Sequence, residues 1–198
     1  MGDFKTCPPE KFFEILNRCS LDEKRGLLEG LAEDRSERSV SILSEILEGD
    51  SWYLRDLAVK VIPSMGEIAI PPLLGLLRSG LWYSRAAAAR ALGRMGYAEG
   101  LSDLVQLLSD PNQTVRGACL ESIADLVRGG MAKETARLFW NQGAHRANEL
   151  CRVLMATHHD SGRAVAEFLG DPDRLLREDP PVEAPSESEL PQADRKNA

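Results

Sequence analysis

The 198-residue chain is short of basic charge, aromatic rings, strand-forming runs and long apolar stretches. Lys and Arg number 24 against 31 Asp and Glu, a net charge of −7. Such a chain lacks the broad basic field that phosphate backbones and anionic membranes require, so nucleic acid is disfavoured as a partner. Runs of Val, Ile and Thr are scarce and rings make up only 6% of residues, which points away from sheets and toward helices. No unbroken apolar run approaches the roughly 18 residues of a bilayer span, and no membrane association is expected. The N-terminus has no basic region followed by an apolar stretch, so no secretory signal is predicted.

Cysteine is sparse and badly spaced for chemistry. Cys7, Cys19, Cys119 and Cys151 form no C-x-x-C pair and match no zinc framework. Cys119 falls on an apolar helical stripe, where a thiol packs as a small hydrophobe. The simplest expectation is a reduced, cytoplasmic protein. Histidine is also rare. "THHD" at 157–160 and the i, i+4 spacing of His145 and Glu149 are the nearest approach to metal ligands, and no such pair recurs along the chain. No G-x-S-x-G, P-loop or G-x-G-x-x-G string is present, so a nucleophile elbow or phosphate cradle has no support. Neither a catalytic residue, nor a metal, nor a cofactor is expected.

What the chain does contain is a repeat. "GDSWYLRDLAVKVIPSMG" and "SGLWYSRAAAARALGRMG" lie thirty residues apart. That shift superposes Trp52 on Trp82, Tyr53 on Tyr83, Arg55 on Arg85, Ala58 on Ala88 and Gly66 on Gly96, and a further shift of 31 carries Arg85 to Arg116 and Ala88 to Cys119. Leu43, Ile46 and Leu47 map in the same way onto Leu73, Leu76 and Leu77, then onto Leu104, Leu107 and Leu108.

Each unit reads as two helices. Leu54, Leu57, Ala58, Val61 and Ile62 follow the spacing of an amphipathic first helix, and a shorter Leu-rich helix follows. Asp50 and Asp110 are the expected N-caps, with Pro111 at the first helical position and Gly66 and Gly96 as left-handed C-caps. Ser20 and Glu23 have capping-box spacing and open a degenerate first unit, preceded by a single capping helix at 8–19. A hairpin of about 30 residues cannot bury its own apolar face, so the units must stack. "RAAAARAL", with alanine on several sides, suits an interior unit. The expected fold is all-α, an α-solenoid with repeats over about 20–128.

The pattern Asp-Pro-x-x-x-Val-Arg-x-x-Ala, here "DPNQTVRGAC", together with "AARALGRMG" and a Leu-rich second helix, resembles the short HEAT-like repeats of the phycobilisome-lyase type. Three units between about 37 and 128 carry the resemblance well, and residues 20–36 carry it weakly. The resemblance implies an α-solenoid. Members of that family include scaffolds, bilin-attachment proteins and a few metalloenzymes, so no single activity is implied.

Beyond Gly130 the periodicity fades. "MAKETARLFWNQG", "AHRANELCRVLMATHHD" and "GRAVAEFLG" still read as helices over 131–170, separated at Gly143 and Gly162 and expected to cap the array. Residues 1–7 are expected to be disordered. From Asp171 the chain turns proline-rich and acidic, with eight acids and four bases, which predicts a disordered tail over 171–198 and leaves the body near neutral.

Two residue ladders stand out as sites. Trp52 lies about 155° round the helical wheel from the buried stripe, so Trp52, Tyr53, Trp82 and Tyr83 either fill the seams between units or form an aromatic rim for a partner. Arg55, Arg85 and Arg116 sit in first turns, where the helix dipole disfavours a cation. They answer either a polar group of the neighbouring unit or an anionic ligand. The function these features support is a non-enzymatic scaffold or adaptor that binds another protein or peptide on the concave surface and rim. The alternative is an enzyme or chaperone on the same frame, bilin lyase-like or DNA-glycosylase-like.

Overall fold

The computed structural model describes residues 7–170; the sequence expectations for residues 1–6 and for the tail at 171–198 lie outside the described residues. Within them every regular element is helical, and the whole is an α-solenoid. Helix α1 (Pro9–Arg18) buries Phe12 and Leu16 completely in the core. Four hairpins follow, each giving one first helix and one second helix: α2 (Leu21–Asp34) with α3 (Glu37–Glu48), α4 (Trp52–Val61) with α5 (Ile70–Ser79), α6 (Trp82–Met95) with α7 (Leu101–Gln106), and α8 (Gln113–Leu126) with α9 (Ala132–Trp140). A final hairpin, α10 (Ala144–Thr157) and α11 (His159–Leu169), closes the array. First helices pack side by side, α2 on α4, α4 on α6 and α6 on α8. Among second helices α3 meets α5 and α7 meets α9.

Local chemistry sets the helix ends. The Ser20 and Glu23 capping box is formed, with Ser20 N donating to Glu23 Oε2 at 2.8 Å and Glu23 N to Ser20 Oγ at 3.4 Å. Gly96 ends α6 in the left-handed region at φ 66°, ψ 29°. Gly66 also has positive φ, 71°, but with ψ −151° it kinks a 3₁₀ stretch (Ile62–Ala69) and is not a C-cap. By length and composition Trp52–Ser79 is apolar enough to cross a membrane, but Gly66 divides it into the two helices of a hairpin.

Several expectations need correction. The N-cap of α4 is Ser51, whose Oγ accepts from Leu54 N, and not Asp50. The N-cap of α8 is Asn112, and Pro111 stands ahead of the helix, because Asp110 is held by Arg85 and by Asn112 N. On α4, Leu54 and Val61 are only half-buried while Val59 is buried, since the helix is flanked by α2 and α6 and burial extends beyond a single hairpin stripe. Gly162 does not separate helices. It lies buried within α11, where an added Cβ would stand 2.4 Å from the Met155 backbone, and the break falls at His158. Its missing side chain is what lets α11 fold tightly onto α10.

The core is one contiguous cluster from Phe12 to Val165. The alanines of α6 sit at its centre, with Ala86, Ala87, Ala88, Ala89 and Ala91 all at 4% exposure or less. Small residues let α6 and α8 approach closely: a Cβ on Gly93 would lie 2.6 Å from Ser122 Cβ. Buried serines stitch the seams. Ser84 Oγ donates to Leu47 O at 3.0 Å, Ser122 Oγ to Ala89 O at 2.8 Å and Ser161 Oγ to Ala124 O at 3.2 Å, so each of these hidden hydroxyls is satisfied by an earlier unit.

Candidate functional site

The starts of the first helices form one edge of the solenoid, and both sequence ladders lie there. Trp52 and Trp82 are the first residues of α4 and α6 and remain 74% and 45% exposed. Tyr53 and Tyr83 are half-buried, and each hydroxyl donates back to an earlier unit, Tyr53 to Leu21 O of α2 at 3.2 Å and Tyr83 to Glu48 O of α3 at 3.3 Å. Each Trp stands edge-on to its Tyr, with ring centroids 6.1 Å apart in one pair and 5.5 Å in the other. The two residue types therefore divide their tasks. The tyrosines sit in the seams, and the tryptophans project from rings that the tyrosines fix.

The arginines lie directly behind. Arg55 Nη1 donates to Gly49 O, and its guanidinium stacks 4.5 Å over the Tyr83 ring of the next unit. Arg85 donates to Gly80 O at 2.8 Å and grips Asp110 through Nε at 2.9 Å and Nη2 at 3.1 Å. Arg116 Nη1 donates to Asp110 O at 2.7 Å and Pro111 O at 3.0 Å. At all three steps the guanidinium ties down the carbonyls of the loop that enters its own helix. The planar fork does this at several acceptors at once, an arrangement an ammonium cannot reproduce.

Between α4 and α6 the edge opens into a groove of about 410 Å³, walled by Trp52, Trp82 and Tyr83, floored by Val59, Ala86 and Ala87, and flanked by Arg55 and Arg90. Arg90 Nε donates to Glu121 at 3.1 Å, and Asp56 is taken up by Lys60 at 2.6 Å. Two residues on this edge escaped the sequence reading. Leu21 begins α2 and is 59% exposed, and Leu81 is the N-cap of α6 and is 61% exposed. The same register signalled them: 21, 52 and 82 are successive helix starts, and Leu81 occupies the position held by Ser20, Ser51 and Asn112 in the other units.

Other grooves are less organised. One of about 710 Å³ lies at the opposite hairpin turns, beside Pro63, Glu67, Met95, Tyr97 and Glu99. Another, of about 500 Å³, lies between Arg116, Leu120, Arg146, Glu149 and Val153. There Arg146 bonds Glu149 at 2.8 Å and holds its carboxyl below the usual carboxylate range. Glu149, spaced to pair with His145, thus answers Arg146, and among the described residues His159 meets its neighbour Asp160 at 3.4 Å. Among the described residues no three His, Cys, Asp or Glu side chains gather to hold a metal. Burial raises the Cys119 thiol to about 12, which keeps it protonated and unreactive.

Comparison with known proteins finds partial likenesses. Residues 70–141 match the family described as HEAT repeats. A protein of Pseudanabaena tenuis named "Uncharacterized phycocyanin operon protein Z" is 25% identical over 126 residues, covering 59% of this chain and 62% of the relative. The chain thus spans about three fifths of that relative's length. A crystal structure of an engineered protein overlays with a TM-score of 0.40 at 16% identity, covering 82% of this chain and 96% of that one.

Proposed function

We propose a non-enzymatic scaffold or adaptor that holds a partner protein along the edge where its first helices begin; the match of residues 70–141 to HEAT repeats, modules that generally mediate protein interactions, supports this. The observation that supports this most is the exposure of Trp52 and Trp82 across a single groove. Large rings left in water next to one another are characteristic of hot-spot surfaces, where Trp, Tyr and Arg supply most of the binding energy. The tyrosine hydroxyl bonds and the Arg55 stack preorganise these rings, so little rotamer freedom is lost on binding. A cytoplasmic setting accords with this reading, since none of the four cysteines is in a disulfide.

The double variant Trp52→Ala with Trp82→Ala tests the reading. Its helical circular dichroism and melting should match the parent, while a stoichiometric partner captured from native lysate by the parent is lost. A variant that unfolds, or one that retains the partner, overturns the reading.

A second reading draws support from the phycocyanin operon relative. On this frame the chain would serve a bilin-bearing protein as a lyase-like enzyme or chaperone. Co-expression with a bilin and its acceptor tests this: visible absorbance on the acceptor that depends on this chain favours it, and an acceptor that colours equally well without the chain rejects it.

A further inference from the structure

Four of the six large apolar side chains exposed among the described residues, Leu21, Trp52, Leu81 and Trp82, stand at the starts of three consecutive first helices. They are physically linked. Tyr53 of α4 bonds Leu21 O of α2 at 3.2 Å, and Arg55 of α4 lies 4.5 Å over Tyr83 of α6. The result is a ridge of apolar knobs with one step per repeat. Leu81 is the most telling member. It places an apolar side chain in solvent at the position where Ser20, Ser51 and Asn112 accept a backbone N–H, and α6 has no side-chain cap. Local stability has been set aside at a point on the ridge, as happens where a residue answers to a partner rather than to its own helix.

The chemistry of the ridge indicates the kind of partner. Packed helices generally lie about 8–10 Å apart, so knobs carried one per first helix, at Leu21, Trp52 and Trp82, are expected near that pitch. A polyproline II segment rises about 3.1 Å per residue with three residues per turn, so its every third side chain recurs at about 9.3 Å. Such a segment leaves its carbonyls unbonded, whereas an α-helix uses its own internally. The indole N–H groups of Trp52 and Trp82 have no acceptor among the described residues and can donate to those carbonyls. Among the described residues Arg55 donates only through Nη1, to Gly49 O, and Arg90 only through Nε, to Glu121. Their remaining N–H groups flank the groove and favour carboxylates.

We propose that the Leu21–Trp52–Leu81–Trp82 ridge binds an acidic, proline-containing segment of a partner protein in polyproline II conformation, with an apolar residue at every third position. This rests on the protein-binding role proposed above and gives that partner a chemistry.

The test is fluorescence anisotropy of the full chain with three labelled probes. One is a peptide of four Glu-Pro-Leu repeats, the second an acidic amphipathic helix of equal charge, and the third a single-stranded oligothymidine. The Glu-Pro-Leu peptide should bind best, and Trp52→Ala with Trp82→Ala should weaken it at least about tenfold. Leu81→Ser should weaken it several-fold, and this change restores a cap, so the loss cannot be ascribed to unfolding. Arg90→Gln should weaken it most at low salt. Tighter binding of the helix or the oligonucleotide, or no binding of the Glu-Pro-Leu peptide, overturns the proposal. A native partner that is still lost on Trp52→Ala with Trp82→Ala would then leave the protein-binding role standing and remove only this account of the segment.

Discussion

Leu81 and Cys119 show how far single side chains can be read from their surroundings. Leu81 leaves the first N–H groups of α6 without a side-chain acceptor, so Leu81→Ser should stabilise the folded chain by about 1 kcal/mol, measured by urea denaturation. A neutral or destabilising result would mean that the leucine packs usefully at home. Cys119 makes a prediction with a sign. Unfolded, the thiol ionises near 9.0; folded, burial keeps it protonated to about 12. The folded pKa is the raised one, so the stability from the neutral thiol is complete below pH 9 and is lost as pH climbs from about 9 toward about 12. The slope is about 1.4 kcal/mol per pH unit at most. Cys119→Ala should remove it, so the difference in unfolding free energy between parent and variant should change sharply between pH 8 and about 10.5. A constant difference would refute the burial account.

At the scale of elements, glycine has two opposite meanings in this chain. Gly162 is the contact point of α10 and α11, and a methyl there would strike the Met155 backbone at 2.4 Å. Gly162→Ala should cost about 3 kcal/mol and raise amide exchange first in that hairpin. Gly26 lies exposed in the middle of α2 with nothing within 4 Å of an added Cβ, so Gly26→Ala should stabilise by roughly 0.5–1 kcal/mol. The pair can be checked by thermal melts of both variants. The same periodicity that located the helices misassigned two of their N-caps. In "GDSW" and "DPNQ" two residues in each string are competent to cap, and propensity does not choose between them. Asp110 is withdrawn by Arg85, a contact between units, and Asn112 is left to cap α8.

Over the whole molecule, stability depends on the seams, because no hairpin hides its own apolar face. The Arg85–Asp110 pair joins α6 to the loop entering α8, with the Asp side chain only 4% exposed. Arg85→Ala leaves that carboxylate buried with its Asn112 N bond alone, and should destabilise by about 2–3 kcal/mol. Because the core is continuous, the loss should appear as one transition shifted downward, with protection falling in α6 and α8 together in hydrogen exchange. Two separate transitions would show that the array is divided at this seam.

The sequence by itself determined the solenoid, its period and the alanine-filled centre, because apolar spacing at 3.6 residues and repetition near 30 are both written along the chain. It also located the two ladders of Trp-Tyr and Arg. The division of the aromatics into seam-bound tyrosines and projecting tryptophans was decided only in three dimensions, and so was the place of Leu21 and Leu81 beside them. A helical wheel reports which way a side chain leaves its own helix. Whether a neighbouring unit stands there to cover it depends on how the hairpins stack, and that is a property of the packed array.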